Sequence, residues 1–146
     1  MVIRKDISDI ENIWNSTFVN NGSHAPFFTH AWHRLWFEVL GKDWEPYPLV
    51  IDDAVIAPFA KKNNEVIFSG GAEISDYQDL IGPNEKKQEA WQQILEYGKN
   101  DGVTSFHFRN IPESSPTVSF FQKFPNAAVA REDTTPTILL PATWDG

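Results

Sequence analysis

The chain of 146 residues contains no cysteine. This excludes a disulfide framework, a thiolate metal site and a cysteine nucleophile, and it suits a reducing compartment. Cations are also scarce: 12 Lys and Arg stand against 20 Asp and Glu, a formal net charge of -8 with a pI near 4.8. Binding a phosphate backbone needs clustered Lys and Arg, so nucleic acid is not an expected partner. The two basic pairs, Lys61-Lys62 and Lys86-Lys87, read as solvated turn and helix positions. No run approaches the roughly 18 apolar residues of a membrane span, and the opening "MVIRKDISDI" lacks the apolar stretch of a signal peptide. A soluble, cytoplasmic chain without a membrane partner is expected. Repeats, heptads and low-complexity tracts are missing as well.

What the chain does have is large planar side chains. Six Trp and eleven Phe, in a composition that is 41% hydrophobic and 22% charged, supply the material for one compact domain with a wet surface. Disorder is not expected.

The hydrophobic period changes often along the chain. Residues 2 to 7 suggest a short strand. Ser8 and Glu11 have capping-box spacing, and Ile10, Ile13, Trp14 and Phe18 then recur at helical intervals, predicting a helix from about Asp9 to Val19. A second helix is expected from near Thr29, with Trp32, Leu35, Trp36 and Val39 as its core-facing stripe and Gly41 as its stop. Three extended runs follow, "EPYPLVI", "AVIAPFAKK" and "EVIFSG". They are separated by Asp52-Asp53 and Asn63-Asn64, residue types that tolerate the left-handed backbone of tight hairpins. Pro48 and Pro58 then belong at an edge or a bulge.

"YQDLIG" reads as a fourth short strand, followed after Pro83 by a helix over about Asn84–Lys99 with Ala90, Trp91, Ile94, Leu95 and Tyr97 as its apolar side. "VTSFHFRN" alternates as a half-buried strand does. "PESSPTVSFFQKF" reads as a turn and short helix, and "AAVAREDTT" and "TILLP" as extended runs. The fold class is therefore α/β (α+β): a mixed, largely antiparallel sheet flanked by helices.

Chemical motifs are sparse. No GxSxG elbow, GxxxxGK[ST] loop, GxGxxG turn or HExxH pair occurs. His30 and His33 share a helix face, but zinc needs further ligands. Two segments stand out. In "SGGAEISDYQDLIGP" (69–83), Asp76, Tyr77 and Asp79 cluster at a connection, and in "FHFRNIPESSP", Arg109 and Asn110 end a strand. Brought together they would form a polar rim able to position a small-molecule substrate. They serve equally well as structure, with Asp76 capping a turn and Asp79 pairing with Arg109.

The blocks "PFFTHAWHRLWFEVLG", "LVIDDAVIAPFA", "SGGAEISDYQDLIGP" and "FRNIPESSPT", in that order, resemble the N-terminal portion of GNAT-superfamily acetyltransferases of the CelD/BcsL-type, or BioF-like, group related to the FemAB aminoacyltransferases. The resemblance covers nearly the whole chain, and its first and third blocks are the specific ones. It implies a GNAT-like domain over residues 1–146 that forms the first half of a longer two-part protein. Acetyl-CoA or another acyl-CoA would be bound by the second half.

The partner so implied is a C-terminal GNAT half in cis, or a second copy in trans, together with a small-molecule acyl acceptor. The family's cofactor loop, Q/R-x-x-G-x-G/A, presents N–H groups to the pyrophosphate at a helix N-terminus. No such motif occurs here, so the chain alone is expected to bind no CoA and to catalyse nothing. By the same resemblance Asp76, Tyr77, Asp79, Arg109 and Asn110 would help seat the acceptor. The alternatives are a stand-alone non-catalytic ligand-binding or dimerising module, and a single-domain enzyme with a degenerate cofactor loop.

Overall fold

The computed structural model describes residues 1–21 and 25–134. Their order is β1 (Val2–Arg4), a 3₁₀ turn (Ile7–Ile10), α1 (Glu11–Asn20), a 3₁₀ turn (Pro26–Phe28) and α2 (His30–Val39). Then come β2 (Glu45–Pro46), β3 (Leu49–Ile51), β4 (Val55–Ala57), β5 (Phe59–Lys62), β6 (Glu65–Phe68), α3 (Asn84–Asn100), β7 (Ser105–Phe106) and α4 (Pro116–Gln122). The expected run "TILLP", with His24 and Trp144, lies outside the described residues.

The mixed α/β class is as expected: two open sheets, ordered β1-β3-β4 and β2-β5-β6-β7, antiparallel except for the parallel β6/β7 pair. Both are built on one bent ribbon. The register Pro46↔Ala60 continues as Leu49↔Ala57, which sets Pro48 opposite Pro58. Neither proline has an N–H to give, so the ladder lapses there and the ribbon passes from one sheet to the other. The two turns form where the Asp and Asn pairs stand. Asp52 and Asp53 both take φ 50°, and Asn63 takes φ 54°.

Alternation along the ribbon sends side chains to two cores. Leu49, Ile51, Val55, Ala57, Phe59, Val66 and Phe68 pack with Ala90, Trp91 and Ile94 of α3. Val50, Ile56 and Ile81 pack with Ile10 and Trp14 at the start of α1. Helices thus cover both faces, which explains why β3 and β4 are apolar throughout.

Several expectations are corrected. Asp6, not Ser8, caps the first helical segment, accepting from the Ser8 N–H at 3.2 Å. On α2 the buried side is His30, His33 and Trp36, whereas Leu35 and Val39 are 48% and 64% exposed. Helical spacing alone cannot choose between these two stripes, and the histidines go inside where each ring finds a hydrogen-bond partner, the Ile7 carbonyl for His30 and the Phe27 carbonyl and Ser69 hydroxyl for His33. "YQDLIG" pairs only at Ile81, which exchanges both backbone bonds with Ile56. "VTSFHFRN" is cut to Ser105–Phe106, since Asn110 adopts φ 57° and turns the chain away. The described part of "AAVAREDTT" forms no strand. Lys87 is buried rather than solvated.

Candidate functional site

The candidate site is the connection from β6 to α3, residues 69–83, with the chain end it meets at 109–110. Ser69 closes β6, donating its N–H to the Pro58 carbonyl at 2.8 Å. Gly70 and Gly71 then take φ 96° and 75° beneath α2, where a Cβ on Gly71 would stand 2.8 Å from Trp36 Nε1. Glycine is required there by both backbone and space.

The following turn is bonded inward. The N–H groups of Ile74 and Ser75 donate to the Gly71 carbonyl, and Ser75 Oγ donates to the Gly70 carbonyl at 2.8 Å. Trp32 Nε1 donates to Ser75 Oγ at 3.0 Å, and Gln78 Nε2 donates back to the Ser69 carbonyl at 3.1 Å. From the other side, Asn110 Nδ2 donates to the carbonyls of Ala72 (2.7 Å) and Ser75 (2.8 Å), while the Gln78 N–H donates to the Asn110 carbonyl at 2.9 Å. Asn110 holds the turn shut.

Asp79 is drawn to the opposite side, against α3 and α4. Its Oδ2 accepts from Lys87 Nζ (2.7 Å) and Ser115 Oγ (2.6 Å), and its Oδ1 from Thr117 Oγ1 (2.6 Å) and the Leu80 N–H (2.8 Å). Thr117 Oγ1 in turn accepts from Trp91 Nε1 at 2.8 Å. One buried carboxylate therefore ties the loop to the first turns of two helices and to the central Trp. All its lone pairs are occupied.

The five sequence-predicted residues divide accordingly. Asp79 and Asn110 are committed to interior bonds. Asp76 is exposed and its side chain makes no hydrogen bond among the described residues, so it caps no turn there. Tyr77 is half-buried, its ring edge-on to Phe27 at 6.4 Å. Arg109 is exposed and pairs with Glu132 at 3.3 Å and, at 3.9 Å, with Glu73 of the loop itself. The alternative pairing of Asp79 with Arg109 is thus overturned, since Lys87 is the partner of Asp79. The solvent-facing rim is Asp76, Tyr77 and Arg109 beside Glu73 and Ile74.

No protein-family model, curated protein or solved structure matches the chain. Roles at the site therefore rest on its geometry.

One pair escaped the sequence reading. His33 Nδ1 lies 2.7 Å from Ser69 Oγ, and His33 Nε2 lies 2.9 Å from the Phe27 carbonyl. The carbonyl can only accept, so neutral His33 carries its proton on Nε2 and Nδ1 accepts from the Ser69 hydroxyl. A nucleophile, a base and an orienting group at these distances are the components of acyl chemistry. Here, however, Ser69 is 1% and His33 3% exposed, and a substrate has no approach. Burial pushes the His33 imidazole down to about 3, against the upward pull of the Phe27 carbonyl and with a further small depression from His30.

The signal for this pair, a serine at a strand end before Gly-Gly and a histidine on a helix, becomes specific only when the fold joins them. His30 is also spoken for, its Nε2 lying 2.7 Å from the Ile7 carbonyl. The described residues hold no group of three or more potential metal ligands. Among them no helix is long and apolar enough to cross a membrane.

Proposed function

We propose that residues 1–146 form the acceptor-side domain of an acyl-CoA-dependent N-acyltransferase, with no CoA site of their own. The observation that carries this reading is the element order: an antiparallel ribbon, the 69–83 connection, α3, and then β7 parallel to β6. This order supports the reading as a mixed, largely antiparallel GNAT-like domain, the kind the sequence blocks resemble. The start of α3 supports the absence of a pyrophosphate site. Glu85 stands exposed in its first turn, and the Lys87 ammonium of that turn is buried and already spent on Asp79 rather than free for an anion. A helix N-terminus attracts anions through its positive field, and a carboxylate in the first turn opposes that field.

On this reading the rim of Asp76, Tyr77 and Arg109 meets the acyl acceptor, and Asp79 and Asn110 hold the rim in place. The acidic balance of the chain suits a cationic or neutral amine. The test uses the two-part protein, assaying transfer from acetyl-CoA to a panel of amines. Asp76→Ala and Tyr77→Phe are expected to raise the acceptor KM or lower kcat without changing the KM for acetyl-CoA. Unchanged acceptor kinetics would remove these residues from the role.

A second reading is favoured by one observation. Leu35, Val39 and Leu40 project from α2 with 48%, 64% and 62% exposure, a face that a self-associating, non-catalytic module would cover. Sedimentation equilibrium of the 146-residue chain separates the two, because that module would dimerise alone.

A further inference from the structure

His33 stands where three separate pieces of chain meet. It is on α2, its Nε2 holds the Phe27 carbonyl of the preceding 3₁₀ turn, its Nδ1 holds Ser69 at the head of the loop, and its ring lies 5.0 Å from Trp14 of α1. A Cβ on Gly70 would come within 3.2 Å of its Cε1, so the loop closes directly over the ring. We propose that His33 is an acid-operated latch: on taking up a proton it releases the segment 25–40 from the loop 69–78, while the sheet and α3 stay folded.

A protonated His33 ring carries a charge without a counter-ion. When Nδ1 becomes a donor, Ser69 can still adapt, since its hydroxyl lies 3.0 Å from the Pro58 carbonyl and can turn to it. The hydrogen bonds survive, but the positive charge stays in a dry pocket. The groups that face it are the Trp14 indole from α1, the Phe27 carbonyl from the 3₁₀ turn, His30 from α2 itself, and Ser69 with Gly70 from the loop. Of these His30 is the one other titratable group, and it adds to the repulsion when charged.

No carboxylate faces the ring among the described residues. Arg34, next in the chain, points outward to Glu38. Relief therefore comes from water, by parting α2 from the loop. The parting is local because the larger core, between the ribbon and α3, contains no histidine and lies on the other face of the sheet.

The size of the effect follows from the His33 imidazole titrating at about 3 when latched and near 6.5 when open. Between pH 7 and pH 5 the opening equilibrium should rise on the order of 25-fold. The test is amide hydrogen exchange of the full chain at these two pH values, corrected for intrinsic exchange rates. Amides of residues 25–40 and 69–78 should lose protection by that factor while those of β5, β6 and α3 keep theirs, and His33→Gln should abolish the pH dependence. A uniform loss across the chain, or none at all, would overturn the latch. Should the variant fail to fold, imidazole NMR of the wild-type protein decides. His33 is expected to stay neutral in the closed fold at pH 5, and a His33 that titrates near 6.5 with the loop still protected contradicts the proposal.

Discussion

Replacing Asp79 by alanine should be the most damaging small change in the loop. The substitution leaves Lys87 Nζ, on a side chain that is 9% exposed, without its counter-ion. It also strips the hydroxyls of Ser115 and Thr117 and the Leu80 N–H of their acceptor. Removing one partner of a buried ion pair costs about 3–5 kcal/mol, a large part of the roughly 5–15 kcal/mol that holds a domain together. Lys87→Ala should cost less, about 1–3 kcal/mol, because the carboxylate keeps three donors.

The double variant should be milder than the sum of the singles by about 1–3 kcal/mol, the coupling of two groups in direct contact. Urea unfolding at neutral pH, followed by tryptophan fluorescence, reads all four corners of the cycle, provided the slope of the unfolding free energy on urea is unchanged. An Asp79→Ala variant within about 0.5 kcal/mol of the parent, the range of ordinary surface changes, would mean that the carboxylate is solvated. The account of the loop as an interior clamp would then be wrong.

Other perturbations test the neighbouring contacts. Gly71→Ala forces a Cβ to φ 75° and towards Trp36 Nε1, and should destabilise by about 1–2 kcal/mol in the same assay. Asn110→Gly keeps the backbone at φ 57° but loses two side-chain bonds, whereas Asn110→Ala loses both bonds and the favourable backbone; alanine should be the worse of the two by about 1 kcal/mol. Trp91→Ala removes a fully buried ring from the larger core and should cost about 3–5 kcal/mol. The Lys61 ammonium, followed by the Tyr47 hydroxyl, holds the Asp101 carboxyl below its ordinary range. Its contribution is therefore present above the usual carboxylate pKa and fades as pH falls through the lowered value, so the stability difference between parent and Asp101→Asn should shrink on acidification.

Much of the architecture is legible in the residues because local rules and burial agree there. The Asp52-Asp53 and Asn63-Asn64 turns, the apolar side of α3 around Trp91, and the short helix after Ser115 all follow from turn chemistry, period and capping. The departures have a common physical form. Where a polar side chain finds a partner on another element, local pattern misassigns it. Thus His30 and His33 displace Leu35 and Val39 from the core, Lys87 goes inside to meet Asp79, and "YQDLIG" stays irregular because its residues bond to Asn110, Lys87 and the helices rather than to a ladder.

The same holds at the candidate site. The sequence brings forward Asp76, Tyr77, Asp79, Arg109 and Asn110 as one polar cluster. In the fold Asn110 and Arg109 meet the loop, but Asp79 turns away to the helices. Ser69 and His33, 36 residues apart, have no local signature that could join them.

Calorimetric titration of acetyl-CoA into the 146-residue chain, beside a chain extended by a second GNAT-like segment, tests the acceptor-domain proposal most directly. No heat of binding is expected for the 146 residues, and saturable binding once a second GNAT-like segment follows. Stoichiometric binding by the 146-residue chain alone would contradict it, placing a cofactor site where the loop 69–83 and the start of α3 offer carboxylates instead.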